Sequence, residues 1–298
     1  MFFSVAVDFK ITSLLTRTTR SGKARTRWLL LGLVMLLPQQ HALADLMLHP
    51  TRIVIEKNQR AAQLELINNG LEAATYRISL VNRRMSETGE FTAIDSAAPG
   101  EHFADALLRY SPRQITLEPG VGQVVRIMLR KPADLAAGEY RSHLQFDKQP
   151  EPKGATSIET QGPVDKEVGV VLTALVGASI PVIVRHGETA ATVSLSHLEM
   201  QISPANQKPL LSLRMNRSGN RSVYGDLSVT FTPQGGSEQL IGRAGGLAVY
   251  SPNPLRRAKL ALQPPAGMAM ARGTLRATYR ERPEAGGKVL AESEIVLP

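Results

Sequence analysis

Short alternating runs separated by turn signals are the feature that most constrains the fold of this chain. Polar and apolar residues alternate over residues 63–66, 76–81 and 140–146, with the period of a half-buried β-strand. Proline and glycine clusters and turn signals such as Asn69-Gly70 punctuate these runs at short intervals. Helical periodicity is almost absent, and only residues 101–109 are compatible with one or two helical turns. The pattern predicts an all-β protein built from sandwiches of about seven strands each.

The chain divides into two β-rich regions, as its length of 298 residues also suggests. The first, residues 45–187, opens with a strand candidate over residues 46–56 and closes with an apolar run over residues 168–184. Residues 149–165 are rich in proline, glycine and polar side chains, which predicts a loop inside this domain. The second region, residues 188–298, contains seven candidate strands and predicts a second sandwich.

The N-terminal segment has the organisation of an export signal. Six basic residues precede an apolar run over residues 28–38, which is shorter than the roughly 20 residues that a bilayer span requires. Ala42 and Ala44 then give the small-x-small pattern of a cleavage site. We expect residues 1–44 to be a cleaved signal peptide and the mature protein to be periplasmic, without stable membrane insertion. An uncleaved membrane anchor is the alternative.

Charge and cysteine content exclude several classes of function. The net charge of +9 is concentrated in the signal segment, and the rest of the chain has 29 basic and 25 acidic residues. The composition therefore gives little support to a nucleic-acid partner, and we expect none. The chain has no cysteine, which excludes disulfides, thiolate zinc sites and cysteine nucleophiles.

No catalytic motif is present in the sequence. There is no H-E-x-x-H, no P-loop and no G-x-S-x-G. The five histidines after residue 44 occur singly, whereas metal ligands occur in spaced clusters. Glu281 and Glu284 lie beside arginines in a Pro/Gly-rich stretch, which favours a solvated hairpin tip over acid–base chemistry. We therefore expect a protein that is not an enzyme and that needs no cofactor or metal.

Several short motifs occur in a characteristic order in the first region. They are Pro50-x-Arg52, the phrase SPRQITLEPG at residues 111–120, Gln123-x-x-Arg126-Ile127, Gly138-Glu139-Tyr140-Arg141 and the long closing strand. This order, together with the signal peptide, resembles the PapD-like periplasmic pilus chaperones of the chaperone–usher pathway. The resemblance covers residues 46–187 well, and beyond them only the β-rich character and the length agree.

The resemblance implies two immunoglobulin-like β-sandwich domains in an L or boomerang arrangement. It also implies a chaperone that completes pilus or surface-fibre subunits with one of its own strands and delivers them to an outer-membrane usher. A donated strand supplies main-chain hydrogen bonds while its alternate side chains fill the partner's pockets. The candidate donor strand spans residues 168–176, and the side chains expected to enter the subunit are Val168, Val170, Leu172, Ala174 and Val176. The alternative is an ordinary central strand that is buried on both faces.

The resemblance further implies a basic pair that binds the C-terminal carboxylate of the subunit. Arg52 matches the arginine of that pair, whereas Pro181 stands where the family has a lysine. This departure leaves Arg185 and Lys166 as candidates for the second basic partner. For Arg52, the alternative is a solvated strand charge.

Three further charges match a cluster that the family places at the domain junction. They are Arg126, Glu139 and Arg185, and their implied role is to hold the angle between the domains. A solvated strand charge is again the alternative for each.

Two rival functions come from other classes of protein. An exported fibre subunit or adhesin would carry a donor segment in a disordered N-terminal tail, whereas this chain enters a strand soon after Asp45. A carbohydrate-binding or hydrolytic sandwich would expose several aromatic side chains or carry paired carboxylates, and aromatic residues are only 5% of the chain.

Overall fold

The described part of the chain forms two β-sandwiches, each around its own apolar core. The structure is a computed structural model that describes residues 46–150, 177–203, 208–268 and 270–298. The predicted signal peptide and the candidate donor strand lie outside these ranges, as does most of the predicted loop. The all-β prediction is confirmed, because the described residues outside strands and loops form only two single 3-10 turns.

The first sandwich consists of a four-stranded and a five-stranded sheet. In spatial order, the four-stranded sheet contains β1 (Leu46–His49), β3 (Ala61–Asn68), β9 (Gly122–Leu129) and β7 (Leu108–Ser111). The five-stranded sheet contains β2 (Ile53–Ile55), β11 (Gly177–His186), β10 (Gly138–Lys148), β4 (Ala74–Val81) and β8 (Gln114–Leu117). Alternate side chains of both sheets, such as Leu66, Ile127 and Phe146, fill the core between them.

The predicted single strand over residues 46–56 is wrong in one respect, because the structure has two strands there. β1 pairs antiparallel with β3, whereas β2 pairs parallel with β11 in the opposite sheet. Pro50 lies at the transition, where it has no N–H to donate to a ladder. The chain therefore crosses from one sheet to the other between His49 and Ile53.

The second sandwich consists of a three-stranded and a four-stranded sheet. The first contains β12 (Ala191–Ile202), β13 (Pro209–Gly219) and β16 (Leu255–Ala261). The second contains, in spatial order, β15 (Gln239–Val249), β14 (Val223–Pro233), β17 (Gly273–Glu281) and β18 (Val289–Leu297). β14 alternates buried and half-buried side chains along most of its length, so that Leu227, Val229 and Phe231 enter the core.

A third apolar cluster joins the two sandwiches. Its buried members are Met85, Ile183, Ala248 and Tyr250. Met85 belongs to a small hairpin of β5 (Arg83–Met85) and β6 (Phe91–Ala93), which the sequence patterns did not predict. The hairpin extends from the first sandwich to the second, where the main-chain N–H of Arg257 donates to the carbonyl of Glu87 over 2.6 Å.

Among the described residues, the structure contains no helix with the length and hydropathy that a membrane crossing requires.

Candidate functional site: a cationic cleft beside an open strand edge

A cleft of about 360 Å³ lies between the two sandwiches. The first sandwich lines it with the loop after β1 and with Arg185, and the second lines it with the start of β14 and the turn after β17. Four arginines face the cleft: Arg52, Arg185, Arg221 and Arg282. Glu281 and Glu284 are the acidic residues among its lining side chains. The cleft is therefore positively charged, which suits an anionic ligand.

Arg52 spans the junction between the sandwiches. Its Nη1 donates a hydrogen bond of 3.0 Å to the hydroxyl of Tyr250. The centre of its guanidinium lies 4.5 Å from the ring centroid of Tyr224 and 5.3 Å from that of Tyr250. Stacking on aromatic rings holds the guanidinium in place without neutralising it. Arg52 thus keeps its charge available at the cleft.

Glu139 and Arg185 form an ion pair at the junction. Arg185 Nε donates to Glu139 Oε2 over 3.1 Å, and Arg185 Nη1 donates to Glu56 Oε2 over 3.1 Å. Glu139 also accepts hydrogen bonds from the main-chain N–H and the hydroxyl of Ser222, which belongs to the second sandwich. The buried carboxylate of Glu139 is therefore shared between the two sandwiches.

The structure brings together only two of the three residues predicted for the junction cluster. Arg126 lies exposed on β9, in the other sheet of the first sandwich. Within the described part of the chain, no hydrogen bond or ion pair joins it to Glu139 or Arg185. Arg126 fits its alternative interpretation, a solvated strand charge, because its side chain points away from the core that Val125 and Ile127 enter.

Arg221 and Arg282 complete the cationic wall of the cleft. Arg282 Nε lies 3.8 Å from Asp226 Oδ1 and 3.5 Å from Glu284 Oε1. Arg221 Nε is buried and has no hydrogen-bond partner among the described residues. The sequence motifs identify neither residue as a binding side chain, because both belong to the second sandwich, for which the resemblance extends only to β-rich character and length. The sequence marks Arg221 only as an arginine directly after the Ser-Gly-Asn stretch at residues 218–220, and Arg282 only as a neighbour of Glu281 and Glu284.

One edge of β11, the strand that carries Arg185 to the cleft, is only partly covered by the described strands. β11 pairs with β10 over its whole length, whereas β2 covers its other side only at Val182–Val184. Residues 177–181 therefore have no described strand on that side, and this length includes Pro181, which has no N–H. An uncovered strand edge presents unpaired main-chain groups that can accept another strand.

The two faces of β11 have different surroundings. Ile180, Val182 and Val184 are buried in the core of the first sandwich. Ile183 lies in the cluster between the sandwiches, and Arg185 lines the cleft. Ile180, Val182 and Val184 thus share the face towards the core, and Ile183 and Arg185 lie on the opposite face at the junction. Lys166 and the predicted donor residues Val168, Val170, Leu172, Ala174 and Val176 lie outside the described residues.

Buried basic side chains surround the junction. Arg141 Nη1 donates to the carbonyl of Ser251 over 3.2 Å, and desolvation lowers the pKa of Arg141. His143, next along the same face of β10, packs edge-on against Phe91 at a centroid distance of 5.3 Å. Desolvation, reinforced by Arg141, Arg83 and Arg52, lowers the pKa of His143 to about 3. His143 is therefore neutral at physiological pH.

The described residues contain no group of three or more histidine, aspartate or glutamate side chains placed to hold a metal ion. The cleft is an arrangement of cations, hydroxyls and aromatic rings, which can bind and orient an anion.

Comparisons with known proteins give a result only at the level of structure. No family model matches the chain, and no curated protein matches it. Many of the solved structures that match are fimbrial chaperones, the class of protein that the sequence resembles.

Three of these matches show how low the sequence identities and TM-scores are. The YadV chaperone is 13% identical, with a TM-score of 0.43 over 85% of this chain and 100% of its own. The Escherichia coli chaperone DraB is 16% identical, with a TM-score of 0.39 over 85% of this chain and 96% of its own. A structure of the Salmonella enterica SafA pilin with the SafB chaperone is 14% identical, with a TM-score of 0.39 over 86% of this chain and 98% of the matched chain. These likenesses concern the fold.

Proposed function

We propose that this protein is a periplasmic chaperone that captures pilus or surface-fibre subunits lacking a strand and passes them to an outer-membrane usher. The observation that carries the proposal is the edge of β11 that no described strand covers at residues 177–181, in the same strand whose Arg185 lines the cationic cleft. Other features of the proposal rest on the sequence: the signal peptide at residues 1–44, and a domain boundary after residue 187. In this proposal the protein binds and is not an enzyme.

The open edge supplies the main-chain part of the recognition. A subunit that lacks a strand exposes unpaired N–H and C=O groups, and an uncovered strand of the chaperone can pair with them. Residues 177–181 provide the described length of that strand. We propose that the apolar run at residues 168–176 extends it as the donor strand.

The phase of β11 sharpens this proposal. The side chains of residues 180, 182 and 184 face the chaperone's own core, and those of Ile183 and Arg185 face the junction. Alternation counted back from Ile180 without a bulge gives Leu172 the phase of the core face and Leu175 that of the other face. Leu172→Asp and Leu175→Asp therefore form a matched pair of variants, and the one that loses the subunit while staying folded identifies the donating face.

The cleft supplies the charged part of the recognition. Arg52 carries a guanidinium that no described carboxylate neutralises, and its planar donors suit two parallel hydrogen bonds to a carboxylate. We propose that it binds the free C-terminal carboxylate of the subunit. Hydrogen bonds to charged groups contribute about 1.5–3 kcal/mol each, so losing one weakens capture about tenfold or more.

Co-purification from periplasmic extract tests the proposal. The tagged mature protein is isolated from the organism that carries its gene, and bound partners are identified by mass spectrometry. We expect an all-β surface-fibre subunit that is lost from Arg52→Ala and from one of the two leucine variants. Arg214→Ala is the control, because Arg214 is an exposed arginine on β13 outside the cleft lining.

Equal recovery of the same partners by wild type, Arg52→Ala and both leucine variants would contradict the proposal. In that case neither the cleft nor the donor segment takes part in capture.

A further inference from the structure

We infer that Arg221, from the second sandwich, is the second cation of the cleft, so that a bound carboxylate bridges the two sandwiches. The inference rests on the proposed function and deepens it, because it names Arg221, in place of Arg185 or Lys166, as the second basic partner of the carboxylate. It also gives the cleft a regulatory property. Binding of a carboxylate in the cleft and contact between the two sandwiches then stabilise each other.

The ion pairs of the cleft leave two arginines available. Arg185 is bound by Glu139 and Glu56, and Arg282 lies within 4.0 Å of two carboxylates. Across the described ranges, no carboxylate forms an ion pair with Arg52 or Arg221. These two arginines line the same cleft from opposite sandwiches. An anion placed between them would meet two cations that have no acidic partner.

The side chain of Arg221 carries a donor in need of an acceptor. Within the described ranges its Nε is buried without a hydrogen-bond partner, as is the Nε of Arg282 in the same cleft. Buried donors in folded proteins are nearly always paired, and each exception calls for an explanation. Because Arg221 lines the cleft, its guanidinium can offer donors to a ligand there, and carboxylate oxygens are the strongest acceptors for a guanidinium.

Hydrogen bonds fix the main chain around Arg221. Arg217, a buried arginine of β13, donates from Nη1 to the carbonyls of Gly219 and Arg221 over 2.7 and 2.9 Å. Ser222, the next residue, gives its N–H and hydroxyl to Glu139 of the first sandwich. Arg221 therefore stands beside the hydrogen bonds that join the sandwiches.

This position predicts a coupling between ligand and junction. A carboxylate that contacts both Arg52 and Arg221 binds only while the sandwiches are in contact. By linkage, the ligand must then stabilise that contact by the same factor by which the contact strengthens binding. The amide of Ser222 reports on it, because its hydrogen bond to Glu139 Oε2 measures 3.1 Å.

The test uses N-acetylglycine, a small probe that carries a peptide C-terminal carboxylate, and N-acetylglycinamide as the neutral control. Both are titrated into the mature protein at constant ionic strength while NMR follows the Nε–H signals of the arginines and the hydrogen exchange of the Ser222 amide. We expect the acid to shift the Nε–H signals of Arg221 and Arg52 and to slow exchange at Ser222. N-acetylglycinamide should neither shift these signals nor slow exchange at Ser222.

Variants separate the inference from the proposed function. We expect Arg221→Gln and Arg52→Gln each to weaken binding of N-acetylglycine about tenfold, while Arg214→Gln binds as wild type does. Arg221→Lys keeps the charge without the planar donors, so its affinity for N-acetylglycine should lie between those of the wild type and Arg221→Gln. If Arg221→Gln does not fold, the inference is tested by whether N-acetylglycine shifts the Arg221 Nε–H signal of the wild type.

Two results would overturn the inference in different ways. If Arg52→Gln loses the probe while Arg221→Gln keeps it, Arg221 is not the second cation and the proposed anchor at Arg52 stands. If the wild type does not distinguish the acid from the amide, the carboxylate site is refuted and the proposed anchor fails with it.

Discussion

Removing the carboxylate of Glu139 should separate the unfolding of the two sandwiches. In Glu139→Ala, Arg185 keeps only Glu56, whose side chain is 41% exposed, and Ser222 loses the acceptor of its N–H and hydroxyl. The side chains of Glu139 and Arg185 are 2% and 14% exposed. Removing one partner of a buried ion pair costs about 3–5 kcal/mol, because the other charge is left uncompensated.

The assay is calorimetry together with denaturant titration followed by circular dichroism. Trp28 is the only tryptophan and lies in the predicted signal peptide, so the mature protein offers no tryptophan fluorescence. We expect the free energy of unfolding to fall by about 3–5 kcal/mol in Glu139→Ala. We also expect the two sandwiches to unfold in two resolved transitions instead of one, because a contact that couples them is lost.

Asn68→Ala is the control for the loss of coupling. Asn68 is fully buried and donates to the main-chain carbonyls of Glu72 and Leu117 over 2.8 and 2.9 Å, and all three residues belong to the first sandwich. This variant should destabilise that sandwich without releasing the second. A double-mutant cycle of Glu139→Ala with Ser222→Ala should give an interaction energy of about 0.5–3 kcal/mol. An interaction energy near zero, or a single unchanged transition in Glu139→Ala, would refute the reasoning.

Three further outcomes are expected. The pKa of His143 is lowered to about 3 in the folded state from an ordinary value of 6.5, so the unfolded chain binds a proton at a higher pH than the folded chain does. The free energy of unfolding should therefore fall as the pH drops from about 6.5 towards 3, by up to about 1.4 kcal/mol per pH unit. His143→Gln should flatten that slope in acid titrations. Asn68 is fully buried and donates to two main-chain carbonyls over 2.8 and 2.9 Å, so Asn68→Ala should lower the free energy of unfolding by about 2–3 kcal/mol in urea, with an unchanged value contradicting this role. Arg217 donates to four carbonyls of two loops, and Arg217→Lys should lower the melting temperature of the second sandwich while the exposed control Arg214→Lys leaves it unchanged.

The sequence was sufficient for features that depend on local pattern. Alternation over residues 76–81 predicted β4, and the apolar run before residue 184 predicted the strand whose described part is β11. Period-two alternation is a local consequence of strand geometry, so it can be read without knowledge of partners. Arg52 was found through its motif, and the structure places it in the cleft.

Features that depend on distant pairing were missed. The hairpin of β5 and β6 has three residues in each strand, too few to show a period, and its stability depends on packing of Met85 against the second sandwich. Arg126 was grouped with Glu139 and Arg185 by motif order alone, yet the three do not share a sheet. Arg221 became visible only through the cleft that both sandwiches form.

The parallel pairing of β2 with β11 has a kinetic consequence. Ile53 lies opposite Val182, about 130 residues further along the chain, so this ladder closes a very long loop. Contacts of such sequence separation form late and slow the folding of small domains. Until β11 has arrived, Ile53 and Ile55, both almost fully buried in the finished sandwich, have no ladder partner in their sheet. The first sandwich therefore cannot complete its fold until residues 182–184 have been synthesised, and truncation before residue 182 should leave an apolar strand exposed to self-association.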